Sequence, residues 1–410
     1  MKLRILTASA ILAAAFALPA EAALAATPTT QAAAALQYLA GQQQNDGSIG
    51  PDTLGETADY ALGAKFQGLD PKQLIKAGNS VYTYLSAWVA SSAPCSPVPS
   101  ARDGNSIGKV VQAVAAGGLS ATNFGGRNLL SDLEGVGGAT GGAYDAATGT
   151  FADCSSFDPV SGKHNNAVYA QANAILGLDA ANNPLYPVPV AALQHLRALQ
   201  DPNGGWPVFG QDSSNSTAMA VMALSRTFTT ACDPTLTLAL TFLRTQQDPA
   251  SGGLLYSTYP PFPSSASDPL SDAVGIQALV AVGQNPAGPA WTNSKGNPAS
   301  DLLTFQDSQS GGLSFDHASA ADVLSTSQAP AGLDRAPFPD GNAHFAAGTC
   351  AASTSASPSP SPSVRAPTLP HAGAPTPGPP AWLGLTALTA LPVVPAAAVR
   401  VVRRRRRIPA

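Results

Sequence analysis

The chain has 410 residues, of which 11% are charged, 44% hydrophobic and 6% aromatic, with 38 glycines and 37 prolines. Its charge fraction is less than half of the roughly 25% usual in soluble domains, which excludes a coiled coil, an acidic disordered chain and a nucleic-acid binder. The length allows two or three domains of about 100–200 residues, or one ring or barrel that uses most of it.

Residues 1–26 begin with Lys2 and Arg4, run through a mostly apolar stretch from Ile5 to Leu18, and reach the small-residue pattern Ala20-Glu21-Ala22. This is the layout of a secretory signal peptide, with a second cleavage point after Ala25 or Ala26; the apolar stretch is short for a membrane span. Removing Lys2, Arg4, Arg400 and Arg403 to Arg407 from the 21 basic residues, and Glu21 from the 25 acidic ones, leaves 13 and 24, so the exported body carries about −11. Such a surface does not suit nucleic acid or anionic lipid, and suits a cation or a neutral ligand.

From Thr29 to Gly341 one phrase recurs: an apolar helical stretch, a Gln, a Gly-containing turn and a second, Ala-rich helix. Leu36 and Leu39 lead to Gln44 and Asp46-Gly47, then to a helix containing Thr57 and Leu62. Less regular copies run from Leu74 to Leu119 and from Leu129 to Leu178. The clearest runs from Val190 to Gln200, turns through Asn203-Gly204-Gly205-Trp206, and resumes at Thr217 to Leu224. Leu240 and Leu243 lead to Gln247, Gly252-Gly253 and Asp272; Leu302 and Phe305 lead to Gln306, Gly311-Gly312 and Asp322. Six helix pairs spaced by about 45–65 residues indicate stacked helical hairpins, able to close into a ring. The Gly pairs permit positive φ where each first helix stops, and Asp201, Asp248 and Asp307 can begin the turns. Thr57, Asn166, Thr217, Asp272 and Asp322 stand where short polar side chains cap second helices.

Gln200-x-x-x-Gly204-x-Trp206 resembles the QW motif of squalene and oxidosqualene cyclases. The six-pair layout is similar to the α6/α6 toroid of terpenoid cyclases, protein prenyltransferase β subunits and transcobalamin-like proteins. The resemblance implies an all-α toroid over residues 27–350, in which Gln and Trp tie an outer helix to the next turn. The other copies place Ser48, Leu254 and Leu313 where the Trp would stand.

The cysteines, Cys95, Cys154, Cys232 and Cys350, match no zinc spacing and favour two disulfides, with four free thiols as the alternative. Cys95 and Cys154 fall in turns between first and second helices, and Cys232 and Cys350 after second helices. The expected pairs are therefore Cys95–Cys154 and Cys232–Cys350. Residues 351–380 form a Ser/Pro-rich stalk, residues 381–402 an apolar membrane span, and residues 403–410 a basic cytoplasmic tail. Leu369-Pro370-His371-Ala372-Gly373 precedes that span, and the three-part order resembles the cell-wall sorting signal that a sortase cuts before its Gly. Ala372 stands where that motif has Thr, so both wall attachment and a plain membrane anchor fit.

No Asp-x-Asp-Asp acid of a class II terpene cyclase occurs, nor a Gly-Cys-Gly-Glu-Gln thioester, and no inner-helix cysteine completes a prenyltransferase zinc set. Gly104-Asn105-Ser106-Ile107-Gly108 matches a nucleophile elbow, but Pro97, Pro99 and Asp103 before it read as loop rather than strand. His164, His195 and His317 read as solvated or outer-face histidines, and Glu56, Asp59, Asp272 and Asp322 as carboxylates at inner-helix starts. Catalytic residues, metal and cofactor are therefore expected to be none. The expected binding residues are those at the inner-helix mouth, Thr57, Asp59, Asn166, Thr217, Asp272 and Asp322, where helix N-termini favour an anionic or carbonyl-bearing ligand. The function expected is an exported, surface-anchored, non-catalytic binding or scaffold module for an unknown small molecule, lipid or extracellular protein. The alternative is a terpenoid-cyclase-like enzyme acting on an isoprenoid or lipid.

Overall fold

A computed structural model describes residues 29–50, 54–91, 103–135, 142–154, 157–158, 163–164, 167–228, 230–260 and 263–345. The signal segment 1–26, the stalk 351–380 with its pentapeptide Leu369 to Gly373, the span 381–402, the tail 403–410, and Cys95, Cys350 and Asn166 lie outside the described residues. Among the described residues no helix is long and apolar enough to cross a membrane.

The described helices alternate in register with the sequence repeat. The outer and inner members are α1 (Thr30–Gly41) and α2 (Leu54–Phe66), α3 (Val81–Ser91) and α4 (Gly104–Ala116), and α5 (Leu129–Glu134) and α6 (Ala167–Ala181). There follow α7 (Val190–Ala198) and α8 (Ser214–Ser225), then α9 (Pro234–Thr245) and α10 (Pro269–Ala281). Last come α11 (Pro298–Thr304) and a broken inner helix, α12 (Val323–Ser327) and α13 (Ala329–Leu333). Helices α2, α4, α6, α8 and α10 each touch the next, α10 touches α12 and α13, and these return to α2, so the inner helices close a ring.

Burial follows from composition. Outer helix α1 buries Ala32, Ala35, Leu36 and Leu39, a stripe at helical spacing with one face left to water. Inner helices α8 and α10 are buried on nearly every side, and their Ala, Gly and Ser positions let backbones approach. At the α4–α6 contact a methyl group on Gly108 would strike the Asn173 backbone, and one on Gly177 would strike Gly108.

The turns carry more structure than an all-α reading provides. Among the described residues they hold antiparallel ribbons: β1 (Ile75–Lys76) with β2 (Asn79–Ser80), β3 (Tyr144–Asp145) with β4 (Thr150–Phe151), β5 (Phe157–Asp158) with β6 (Lys163–His164), and β7 (Trp206–Val208) with β8 (Gln211–Ser213). In the last, Trp206 pairs with Ser213 and Val208 with Gln211.

One recurring bond set fastens the turns of four of the six repeats. The amide of Gln200 donates to Gly204 O and Thr235 O at 3.0 Å, joining its own turn to the start of α9. Gln247 reaches Gly252 O and Trp291 O at 2.9 and 2.6 Å, and Gln306 reaches Gly311 O and Gln31 O at 2.8 Å. The bond to Gln31 joins the last repeat to the first. In the first repeat Gln43 does this work, donating to Leu74 O at 3.2 Å, whereas Gln44 folds back on Gln42. The repeat register is thus one residue earlier there than the sequence pattern suggests. Gly204 (φ 97°) and Gly311 (φ 79°) turn the chain, and a methyl group on either would collide with the backbone of the next outer helix, at Leu238 and Ala34.

Beyond α13, residues 334–345 close the ring's far end. Asp334 accepts from Thr29 N (2.8 Å), Thr29 Oγ1 (3.1 Å) and Gln67 Nε2 (2.7 Å), and Asp340 pairs with Arg226 at 3.0 Å. Arg226 also pairs with Asp179 at 2.9 Å, and His344 N donates to Ala281 O at 3.1 Å.

Candidate functional site: the mouth of the ring

A cavity of about 380 Å³ opens at the N-terminal ends of the inner helices. Its walls come from the first two turns of each: Glu56 and Asp59 on α2, Asn105 and Lys109 on α4, Tyr169 and Asn173 on α6, Asn215 and Met219 on α8, and Val274 on α10. Leu324 on α12 and Gln328 after it complete the circuit. Lining residues recur three or four apart, the spacings that share one helix face.

Phe338, from the segment after α13, also lines the cavity; its ring lies 6.2 Å from that of Phe66 and 4.8 Å from Lys109 Nζ.

The electrostatics centre on α2 and α4. Lys109 Nζ lies 2.5 Å from an Asp59 oxygen, and both side chains are largely withdrawn from water. Burial pushes the Asp59 carboxyl above its ordinary range, against the opposing pull of Lys109. Glu56 is raised as well, first by burial and then by the Asp59 charge. Among the described residues Glu56 has no ion-pair partner, and Gln328 Oε1 is buried without a donor. Across the α4–α6 contact Asn173 Nδ2 donates to Asn105 Oδ1 at 2.7 Å, and Gln112 Nε2 donates to Asn173 Oδ1 at 3.0 Å.

Of the residues expected at the mouth, Asp59 lines the cavity and Asn166 lies outside the described residues. Thr57, Thr217 and Asp272 are neither caps nor lining: one turn into their helices, they clamp the preceding turns. Thr57 Oγ1 accepts Ile49 N at 2.9 Å, Thr217 Oγ1 accepts Trp206 N at 3.1 Å, and Asp272 accepts Leu254 N at 2.7 Å. Gln171 and Thr326 do the same for Phe151 and Leu313. The caps stand earlier, at Asp103, Ser213 and Asp268, while Asp322 caps α12 as expected from the pattern. Three of these caps are carboxylates, which offset the partial positive charge of their own helix ends.

The residues missed, Lys109, Asn105, Asn173, Asn215 and Gln328, carried one usable signal: polar side chains four apart on Ala-rich helices. Trp206 is wholly buried, with Nε1 donating to Leu196 O at 2.7 Å. Ser106 opens α4 on a helix rather than on a strand-to-helix elbow, and both its N–H and its hydroxyl donate to Asp103. His195 lies in α7, and His317 stacks on Phe305 at 4.4 Å. Cys154 and Cys232 are not free thiols. Among the described residues no group of three or more His, Cys, Asp or Glu is placed to hold a metal ion.

A second carboxylate pair is sealed from water beside the α10 start. Asp272 and Asp301 are 0% and 4% exposed, and each has one oxygen without a donor. A methyl group on Gly253 would meet both carboxyls, so they converge there. Burial, then the Asp301 charge, raises Asp272 well above the aspartate range; Asp268 nearby is raised by burial too.

No protein-family model matches the chain. No curated protein matches it either. Among solved structures, the chain is similar to a protein from Actinoplanes at 16% identity and TM-score 0.47, over 75% of this chain and 99% of that one. It is similar to a type II terpene cyclase from Scytonema in complex with geranylgeranyl dihydroxybenzoate at 13% identity and TM-score 0.48, over 74% and 96%. A Candida albicans protein geranylgeranyltransferase-I complexed with GGPP is similar at 13% identity and TM-score 0.43, over 72% and 85%. These values are too low to assign chemistry, and the ring rests on its own helix contacts.

Proposed function

We propose that the chain is a small-molecule binding module, exported and held at the cell surface, whose ligand sits in the mouth cavity and presents an amine to Glu56. The observation that carries this reading is the uneven charge at the wall: one cation, Lys109, faces two carboxylates, and its ion pair goes to Asp59, so that Glu56 feels the Lys109 charge but among the described residues has no ion pair of its own. An ammonium there would neutralise a carboxylate that burial makes costly to ionise, and its remaining donors suit the unfilled Oε1 of Gln328. The cavity volume falls in the range of small-molecule sites. Export and anchoring rest on the signal-like segment 1–26 and the stalk, apolar span and arginine order of residues 351–410.

The test is calorimetric titration of the full chain in lipid nanodiscs with putrescine. Saturable binding that is lost in Glu56→Gln supports the reading. Absence of binding, or binding indifferent to Glu56→Gln, overturns it.

A second reading is a terpenoid-cyclase-like enzyme. What favours it is Asp59, a desolvated carboxyl of raised pKa in a cavity that also presents Met219, Val274, Leu324 and Phe338. Its test is incubation with a geranylgeranyl substrate: a cyclised product that disappears in Asp59→Asn supports it, and unchanged substrate rejects it.

A further inference from the structure

A second cavity, of about 360 Å³, lies where the ring closes, away from the mouth. Its walls are Ile276 of α10, Leu302 and Leu303 of α11, and Leu333 of α13, with Thr29, Gln31, Asp334 and Arg335 at its polar side. We propose that this seam cavity binds a single-chain carboxylate amphiphile of the fatty-acid class, with the alkyl chain against the leucines and the carboxylate on Arg335.

Three observations support this occupant. First, the other arginines among the described residues are engaged: Arg127, Arg197 and Arg226 in ion pairs, and Arg244 over the Trp291 ring at 5.1 Å. Arg335 alone among the described arginines has no carboxylate or ring against its guanidinium, although it is partly buried, and an uncompensated charge withdrawn from water is costly. The adjacent Asp334, which lines the same cavity, forms no ion pair with it; its oxygens accept from Thr29 and Gln67 instead.

Second, Arg335 adopts φ 53°, a conformation that glycine takes without strain, so backbone geometry does not account for an arginine here. Third, the cavity joins this single cation to an aliphatic wall, and the guanidinium fork matches a carboxylate through two parallel hydrogen bonds. One unpaired cation beside apolar side chains complements a monoanion with an alkyl tail, whereas a sugar or polyamine would leave the leucines unfilled.

The experiment uses the full chain in lipid nanodiscs and a decanoate analogue with a diazirine on its alkyl chain. After irradiation, labelled peptides are mapped by mass spectrometry. Labelling should fall on the peptides holding α11 and residues 329–335 and be competed by plain decanoate. It should drop by about tenfold or more with the methyl ester of the probe, as expected on losing a charge-assisted pair. Arg335→Lys should retain labelling. Arg335→Gly should lose it while leaving the melting temperature equal or higher, a result that a purely structural Arg335 would not produce. Labelling confined to other peptides, equal labelling by the methyl ester, or full labelling of a folded Arg335→Gly chain would each overturn the proposal.

Discussion

Replacing Asp301 by Asn tests whether the sealed carboxylate pair beside α10 shares one proton. Asp272 spends one oxygen on Leu254 N, while its other oxygen and one oxygen of Asp301 lack donors, with both residues essentially removed from water. Two carboxylates so placed cannot both ionise cheaply, and burial together with Asp301 holds Asp272 protonated well above the aspartate range. Since the folded-state value is raised, the associated stability is fully present below about pH 4, the unfolded aspartate range, and is lost as pH rises through the folded value. Each unit of upward displacement corresponds to about 1.4 kcal/mol above that window. Asp301→Asn keeps the shape, removes the like charge and offers an N–H₂ to the bare Asp272 oxygen. At about pH 8 the variant should therefore be more stable than the parent by about 1–3 kcal/mol, the usual cost of an unsatisfied buried polar group. Near pH 4.5 the advantage should shrink or reverse, because Asp272 of the parent is then protonated. Circular-dichroism melts across this range would show a melting temperature higher by about 2–4 °C per kcal/mol, or less in a body of this size. Asp268 is raised in part by the Asp301 charge as well, so the variant relieves it in the same direction and it adds to the difference. Parallel pH profiles for parent and variant, or a variant less stable throughout, would refute the shared proton.

Trp206→Ala should cost about 3–5 kcal/mol as a wholly buried aromatic is truncated, while mouth binding survives; loss of binding at an unchanged melting temperature would place Trp206 at the ligand instead. Gln306→Ala removes the bond that joins the last repeat to Gln31 and the one to Gly311 in its own turn, and about 1–3 kcal/mol should be lost, with faster hydrogen exchange at the start of α1 as the specific sign. Lys109→Met leaves Asp59 buried and unpaired and should cost about 3–5 kcal/mol, whereas Asp59→Leu/Lys109→Met should recover most of it; an equally unstable double variant would show that the pair is not the source. Non-reducing peptide mapping should find Cys95 with Cys154 and Cys232 with Cys350, and a Cys95–Cys232 peptide would break the assignment of turns to opposite ring ends.

Hydrophobic periodicity and turn chemistry were sufficient to place the helix pairs, because an outer helix must bury one stripe and a turn after it must use Gly. The Gln44 register failed for a local reason: Gln42, Gln43 and Gln44 are consecutive, and only packing against Leu74 decides which amide faces the next repeat. The ribbons were missed because each is two or three residues long, below any period-two signal. Site residues were harder still. Thr57, Thr217 and Asp272 stand at the same helical position in three repeats, and that recurrence marked a structural duty, the turn clamp, rather than ligand contact. Ligand-facing positions vary from repeat to repeat, as Asn105, Tyr169 and Asn215 do, so the repeat pattern does not single them out.

The same division explains why the mouth cavity is walled by the first two turns of the inner helices. Lining positions on the continuous inner helices include Asp59, Lys109, Asn173, Met219 and Val274; one turn further along stand Gly63, Ala113, Gly177, Ala223 and Ala278. A side chain no larger than a methyl lets neighbouring backbones close up, to the point where a Cβ on Gly63 would strike Pro330 and one on Gly177 would strike Gly108. Phe338 then reaches the cavity from the closing segment, with Phe66 behind it. Small residues at depth make the helices converge, and convergence requires the long polar side chains to stand in the first two turns. A ligand proposed for this cavity would therefore be read by side chains at the mouth that the turn-clamping repeat leaves free to differ.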